Sequence, residues 1–394
     1  MSKKPIEASD VRFQAQGRWF EILREKAGHV LGDALNAKPG THVDCPFHGG
    51  NKDFRFDGDR AKRGSSNETG AAICTCKQWK DGFELLMDAN GWSFITALVE
   101  VARYVGFRVD DDGFLIPDGE TGKVTQPKVS EEEIRRREAQ QEARRRRIAA
   151  EDHVLRDKLL QTWAEGVPLT DPASKPLWLY LASRGLSGHQ IANSPAVRFH
   201  PTLPYFTAEG EHLGDFPAML WIMLDENHKP GTLHRTYLTA GGKKLPVDKP
   251  KKLASFPSDR NLAGGGIPLF EPGKVLGVAE GIETALAAHR ASRMPVWSTY
   301  SATLLAKFTP PKGVEQLVIW ADKDRSGAGI EAAKELKKRM WEIGLPTKIL
   351  LPTLDIPDSA KGVDWNDVWR KLGQNGFPHP KLINAVNRRS AAVA

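Results

Sequence analysis

The sequence predicts a multidomain protein of α+β and α/β class, with a parallel sheet in its C-terminal third and a metal-bound N-terminal segment. Three observations carry this prediction. Strand-like and helix-like runs alternate after residue 271, apolar extended runs fill the segment before it, and all three cysteines fall within the first 80 residues. At 394 residues the chain has room for two or three domains, each with its own core.

The alternation is clearest from 271 to 394. VLGVA (275–279), PVWST (295–299), LVIWA (317–321) and TKILL (347–351) read as strands. GIETALAAHRAS (281–292) and GAGIEAAKELKKRMWEIG (327–344) read as the helices between them. Residues 151–270 read as mixed α and β. Helices are expected in DHVLRDKLLQTWAEG and WLYLASRGL, and strands in FPAMLWIMLD and TLHRTYLT. Residues 111–150 form a connector. Its second part, SEEEIRRREAQQEARRRRIAA, favours helix but lacks an apolar stripe, so it is expected as an exposed helix or linker. Arg144 to Arg147 either meet phosphate there or form a solvated face. Residues 1–110 hold the cysteines and end in the helical stretch SFITALVEVARYVGF.

Composition narrows the classes. Hydrophobic residues make up 40% and charged residues 27%, as in an ordinary globular chain. No apolar run is long enough to cross a bilayer, and MSKKPIEASDVRF has no signal core, so a cytoplasmic protein with no membrane partner is expected. A net charge of +7 suits a polyanionic partner. An odd number of cysteines argues against a disulfide framework and for metal.

The candidate chemistry lies at strand ends. Glu280 follows VLGVA directly, and Gly281 then lets the chain turn into a helix. Asp322 and Asp324 follow LVIWA in the same way, with Gly327 and Gly329 leading into the next helix. Ligands of open α/β sheets bind beyond the carboxyl ends of strands. Asp364 and Asp367, in DWND, supply a further acidic pair. Taken singly, each acid reads as a helix N-cap. Together they read as a site for Mg²⁺ or Mn²⁺, because converging carboxylates repel unless a cation lies between them.

Glu280-Gly281, then DKDRSG at 322–327, each after an apolar strand, resemble the Toprim domain shared by bacterial primases, topoisomerases and some nucleases. AEGIETALAA, VWSTYSATLL and DWNDVW are similar to the version found in phage- and plasmid-type primases. The resemblance implies Glu280 as an acid–base or metal-associated carboxylate, Asp322 and Asp324 as ligands of Mg²⁺ or Mn²⁺, and Asp364 and Asp367 as a third acidic element.

Near the N-terminus, Cys45-Pro-Phe-His48 is a C-x₂-H pair and Cys74-Thr-Cys76 a C-x-C pair. One histidine and three cysteines complete a tetrahedral set for structural Zn²⁺. Zinc would hold together a segment with little apolar content of its own. CPFHGGNKDFRFD, ICTC and the run that follows resemble the zinc ribbon of bacterial and phage primases. The second pair of that family is usually C-x₂-C, which leaves His42 as an alternative to Cys76. Lys52, Phe54, Arg55, Phe56 and Arg60 interleave aromatic and basic side chains. They suit base stacking with phosphate contacts, or simple strand packing.

Arg184, His234-Arg235-Thr236, Lys243-Lys244, Lys251-Lys252 and three glycines at 264–266 precede the acidic site. They resemble the segment joining ribbon and Toprim domain in phage- and plasmid-type primases. That likeness implies template and nucleotide binding by Arg184, Arg235, Lys251 and Lys252. The domain reading is therefore a zinc ribbon at 1–110, a charged linker at 111–150, a basic segment at 151–270 and a Toprim domain at 271–394.

The expected function is a DNA primase acting on single-stranded DNA and ribonucleoside triphosphates, with a separate helicase as possible partner. A Toprim nuclease and a non-catalytic zinc-ribbon replication adaptor are the alternatives. A topoisomerase would need a nucleophilic tyrosine and gate domains. An ATPase-linked nuclease or fused helicase would need a G-x-x-x-x-G-K-[ST] loop, which is absent from the sequence.

Overall fold

The computed structural model describes residues 4–50, 52–58, 65–117, 127, 131–186 and 191–379. The chain divides into two compact units, 1–150 and 151–394.

The first unit begins with helices α1 (Ala8–Ala15) and α2 (Trp19–Asn36). Strands β1 (Arg55–Phe56), β2 (Ala72–Ile73) and β3 (Gln78–Trp79) form a small antiparallel sheet, with the short helix α3 (Ser66–Thr69) between β1 and β2. Helices α4 (Gly82–Asn90) and α5 (Phe94–Tyr104) follow, capped at their N-termini by the Asp81 and Ser93 side chains. One core joins sheet and helices. Trp19, Ile22, Phe54, Trp79, Phe83 and Val101 are all buried in it. The zinc-ligand segment, expected to have little apolar content of its own, contributes Phe54 to this shared core.

Helix α6 (Glu131–Glu165) is one continuous element of 35 residues. It merges the second part of the expected connector with the helix expected in DHVLRDKLLQTWAEG. Its stability comes from i,i+4 ion pairs such as Arg146–Glu142 at 2.8 Å and from side-chain anchors rather than an apolar stripe. Arg144 is bound to Glu68 at 2.6 Å, and the Asp152 carboxylate accepts from the Ser258 hydroxyl at 2.6 Å.

The second unit continues with α7 (Lys175–Ser183). An antiparallel sheet follows, made of β4 (Val197–Phe206), β5 (His212–Leu224), β6 (Pro230–Tyr237) and β7 (Lys251–Leu253) in sequential order. Then come β8 (Val275–Ala279), α8 (Ile282–Ser292), β9 (Val296–Ser298), α9 (Ala302–Lys307), β10 (Gln316–Trp320), β11 (Lys323–Asp324), α10 (Ala328–Glu342), β12 (Thr347–Leu350), β13 (Gly362–Val363) and α11 (Trp365–Leu372). β8, β9, β10 and β12 form the expected parallel sheet, in the order β12-β10-β8-β9. β11 and β13 pair separately as a short antiparallel ribbon.

That strand order positions the site. β8 connects through α8 to β9 on one side of it. The chain then returns through α9 to β10 on the other side and continues away through α10 to β12. The seam between β8 and β10 is thus where the winding reverses, and open α/β sheets hold ligands at the carboxyl ends of such a seam. Alternate residues face opposite layers. Leu276, Val278, Leu317 and Ile319 pack with α9 and α10, while Val318 and Trp320 pack with α8 and α11. Gly277 makes room for this core. A Cβ there would lie 2.9 Å from the Trp320 indole nitrogen and 2.7 Å from Val296.

Candidate functional site

Glu280 and Asp322 stand just beyond the carboxyl ends of β8 and β10, whose register pairs Ala279 with Trp320. The backbone around Glu280 is tightly held. Its carbonyl accepts from the Ser298 hydroxyl at 2.7 Å and from the Tyr300 N–H at 2.9 Å. Tyr300 adopts a left-handed φ of 74°, rare for an aromatic residue, which marks this loop as constrained. The Asp322 carboxylate accepts from the Thr284 hydroxyl at 3.3 Å.

Asp324 points elsewhere, onto the first turn of α10. The Ser326 hydroxyl and the N–H groups of Gly329 (2.9 Å) and Ala328 (3.2 Å) donate to it. Gly329 is needed for this approach, since a Cβ there would sit 2.8 Å from the Asp322 carbonyl oxygen and 3.1 Å from the Asp324 carboxylate. Gly281 behaves otherwise. Its φ of −93° is open to any residue, and an added Cβ would meet nothing nearer than 3.6 Å, so the turn after Glu280 does not require glycine.

Asp364 and Asp367 form a reciprocal helix cap. The Asp364 carboxylate accepts from the Asp367 N–H at 2.8 Å, and the Asp367 carboxylate from the Asp364 N–H at 3.2 Å. Asp364 nonetheless acts on the seam through its charge. Burial first, then repulsion from Asp364 and Glu280, raises the Asp322 carboxyl well above the usual range. Burial and then Asp324 raise Glu280, and burial and then Asp367 raise Asp364. Asp324 goes the other way, with the Ser326 hydroxyl and the α10 N–H groups holding it below the ordinary value. Crowded, buried oxygen donors with too much negative charge are what a hard divalent cation relieves, and Glu280 and Asp322 have that character, whereas Asp324 is engaged by α10; among the described residues the three carboxylates do not bring their oxygens together as a ready metal cluster.

The basic residues divide by sheet face. Lys251 lies opposite Thr236, and Lys252 opposite Arg235. Side chains alternate along strands, so the two lysines leave β7 on opposite sides. The Lys251 ammonium is 2.8 Å from Glu283, on the Toprim-facing side shared with His234. Lys252 donates to the Phe206 carbonyl and sits 4.2 Å from the Tyr205 ring centre. Arg235 donates to the Leu253 carbonyl at 3.1 Å and lies over Tyr237. Arg184 stands at the end of α7 over the Tyr180 ring and feels Glu283 and Asp364. Of the four basic residues expected in one binding surface, Arg184 and Lys251 face the carboxylates. Arg235 and Lys252 face an aromatic pocket on the other side.

Sequence reading missed Glu283 and Tyr180. Glu283 is buried yet ionised. Burial alone would raise its carboxyl, but Lys251, Lys244 and the Tyr180 hydroxyl hold it well below the usual range. Its signal in the sequence was a glutamate on the apolar face of an otherwise small-residue helix.

In the first unit, Cys45, His48, Cys74 and Cys76 bring their ligand atoms within 4.8 Å of one another. A zinc tetrahedron with bonds of about 2.3 Å to sulfur and about 2.0 Å to nitrogen has edges of about 3.8 Å between sulfurs and about 3.5 Å from sulfur to nitrogen. The observed Cys45–Cys76 separation is 3.9 Å, and Cys74–His48 Nε2 is 3.4 Å. Cys76 therefore completes a set of four whose spacing fits zinc. His42 is engaged elsewhere, its Nδ1 with the Lys52 carbonyl and its Nε2 with Arg55, each at 3.1 Å. His42→Ala should leave zinc content, read by atomic absorption, unchanged. Phe54 and Phe56 are buried against Phe47, Phe20 and Trp79, so they pack the ribbon rather than offer rings to bases. Arg60 lies outside the described residues.

Residues 275–375 match the Toprim domain, and residues 154–263 match a domain of unknown function (DUF7146). No curated protein matches the chain. Among solved structures, the zinc-binding and RNA polymerase domains of the Aquifex aeolicus primase share 15% identity over 93% of this chain and 85% of that one, at a TM-score of 0.37. The DnaG primase catalytic domain bound to ssDNA shares 15% identity over 58% of this chain and 78% of that one, at 0.40. The primase fragment of the bacteriophage T7 primase-helicase protein shares 17% over 50% and 71%, at 0.32. These likenesses are distant. Among the described residues, no helix is long and apolar enough to cross a membrane.

Proposed function

We propose that this chain is a DNA primase, joining ribonucleotides into a short RNA primer on single-stranded DNA. One observation carries the reading. The crowded carboxylates at the β8–β10 seam of the Toprim domain feel the charge of Lys251, and Arg184 feels Glu283 and Asp364, so acids that suit a metal and cations that suit phosphate lie near one another. A nuclease needs only the first of these, which favours nucleotidyl transfer from a triphosphate.

In this reading Glu280, Asp322 and Asp324 hold the divalent ions. When bound, these ions supply activation of the primer 3′-hydroxyl and charge neutralisation on the departing pyrophosphate. The remaining roles belong to the chain itself. Thr284 fixes the Asp322 carboxylate, and the first turn of α10 keeps Asp324 ionised. Asp364 caps α11 and adds negative charge behind Asp322. Lys251 and Arg184 meet the triphosphate. The zinc-bound N-terminal unit engages template, and a separate helicase would open the duplex. Template affinity should fall with salt, since phosphate contacts release counterions.

The test is incubation of the pure protein with single-stranded DNA templates of varied sequence, ribonucleoside triphosphates and Mg²⁺ or Mn²⁺. RNA oligomers are expected, and their absence on every template would remove the reading. The split of basic residues between faces gives a sharper outcome. Lys251→Met should raise the KM for nucleotide about tenfold or more, while Lys252→Met should leave it within about twofold. Steady-state kinetics on the two variants would show it, and equal effects would mean that β7 does not divide its lysines between two faces.

A further inference from the structure

The loop between β9 and α9 carries a side chain whose placement stability alone does not explain. Tyr300 holds a φ of 74°, a conformation that suits glycine or asparagine and strains an aromatic residue. The surroundings enforce it. The Tyr300 N–H donates to the Glu280 carbonyl at 2.9 Å, and the Thr299 N–H to the Ala279 carbonyl at 2.9 Å. Ser298 and Thr299 are fully buried. Behind them, Ile267 and Ser298 exchange backbone hydrogen bonds of 2.7 and 3.2 Å. The glycines at 264–266 allow that approach. A Cβ on Gly266 would lie 3.2 Å from the Ser298 carbonyl oxygen, and one on Gly265 would collide with the Leu224 carbonyl oxygen. Strain of this kind persists only where neighbours over-determine it, and it gathers at functional positions.

The ring is held as firmly as the backbone. It meets His234 of β6 edge to face, with centroids 5.3 Å apart and planes at 67°. His234 is 2% exposed, and burial, then Lys251, push its imidazole down to about 3, so it is neutral. Its Nδ1 is buried without a hydrogen-bond partner, which is costly. The residue therefore serves neither by charge nor through that nitrogen, and its ring is what the site uses. Tyr300 differs. It is only partly buried, and its hydroxyl has no protein partner among the described residues. A tyrosine that merely filled space would be sealed in with its hydroxyl bonded. His234 and Lys251 leave their sheet on one face, so the Tyr300 ring stands between that face and the turn that carries Glu280.

We propose that Tyr300 is a stacking platform for the base of a nucleotide bound at the seam, and that His234 is the positioning residue that backs its ring. An aromatic face accepts any base, because every base has a π-face. That tolerance suits a site that must take four bases in turn and leave selection to pairing. The strained backbone has a use here. It fixes the ring before the ligand arrives, so little conformational freedom is lost on binding. That the nucleotide is a substrate rests on the nucleotidyl-transfer reading above; the platform itself requires only that a nucleotide binds beside Glu280.

The test uses the full chain and calorimetry in Mg²⁺ at fixed ionic strength, with the four ribonucleoside triphosphates and inorganic tripolyphosphate as ligands. Tyr300→Gly removes the ring and suits the backbone. It should weaken all four nucleotides about tenfold while leaving tripolyphosphate within about twofold of wild type. Tyr300→Phe, which keeps the stacking face, should hold nucleotide affinity within about threefold. His234→Ala should reproduce the loss, and His234→Phe, which keeps a ring behind Tyr300, should restore most of it. The proposal is overturned if wild type binds none of the nucleotides, if folded Tyr300→Gly binds them within about twofold of wild type, or if it loses nucleotide and tripolyphosphate equally. Should Tyr300→Gly not fold, Tyr300→Asn, which tolerates the same φ, decides by the same criteria. Primer synthesis separates this proposal from the reading it rests on. Synthesis with an unchanged KM for nucleotide in Tyr300→Gly would remove the platform and keep the primase. Ring-dependent nucleotide binding without any RNA product would keep the platform and remove the primase.

Discussion

Replacing Asp322 by alanine should lower primer synthesis by at least about 10²–10³-fold, the range lost when one preorganised group at the developing charge is removed. Binding of single-stranded DNA should survive or tighten slightly, because the lost carboxylate repels phosphate. The replacement also bears on stability, with a sign that follows from the direction of its pKa. Burial, Asp364 and Glu280 hold the folded Asp322 carboxyl above its unfolded value, so the folded chain keeps a proton that the unfolded chain has released. In that window the unfolded state binds fewer protons, and stability falls as pH rises. Asp322→Asn, which cannot ionise, should therefore raise the melting temperature at neutral pH in metal-free buffer while abolishing synthesis. A melting point that dropped instead would show that Asp322 is not under charge repulsion. Saturating Mg²⁺ should stabilise wild type and leave Asp322→Asn nearly unmoved, since a cation helps only where the repulsion exists.

Removing zinc should have an equally large and quite different effect. Cys45→Ser should take metal content from about one zinc per chain to none, because a structural site needs all four corners. The helices should outlast the metal. Trp19, Ile22, Phe83 and Val101 join α2, α4 and α5 through apolar contacts of their own. Far-ultraviolet dichroism should thus fall only modestly, while amide exchange should accelerate around 43–54 and 72–79. Wholesale loss of helix would mean that zinc carries the unit rather than its ribbon alone. Retained zinc would remove Cys45 from the ligand set.

The contrast between the two halves shows where sequence reading works. The parallel sheet was legible because its strands are short apolar runs, two of which, β8 and β10, end at an acid and lead into a helical period. Glu280 and Asp322 were legible for the same reason, since strand ends can be counted along the chain. The reversal of winding that puts those two ends side by side could not be counted, because it depends on which strand pairs with which. Arg235, Lys251 and Lys252 were harder to place. Their basic character was visible, but the face each one takes is fixed by pairing register, which a run of consecutive lysines does not reveal. Glu283 was invisible because its partners, Tyr180, Lys244 and Lys251, come from segments about 30 to 100 residues away. In the ribbon the aromatics at 54 and 56 carried no mark of whether they faced bases or core. Trp79 and Phe20, which cover them, belong to other segments.

The doubled lysine of β7 has a consequence for error tolerance. Strand pairing that slips by one residue exchanges every side chain between the two faces of a sheet. At most positions of a sheet such a slip would be ruinous, placing an apolar residue against an acid or a charge in an oily pocket. At Lys251-Lys252 it seats Pro250 toward Glu283 or Leu253 toward Tyr205, because the run holds only two lysines. A one-residue insertion or deletion in the long turn between β6 and β7 therefore costs one of the two contacts unless the turn takes up the change. The length of that turn, which also carries Lys244 to Glu283, is thus held by the faces it must supply.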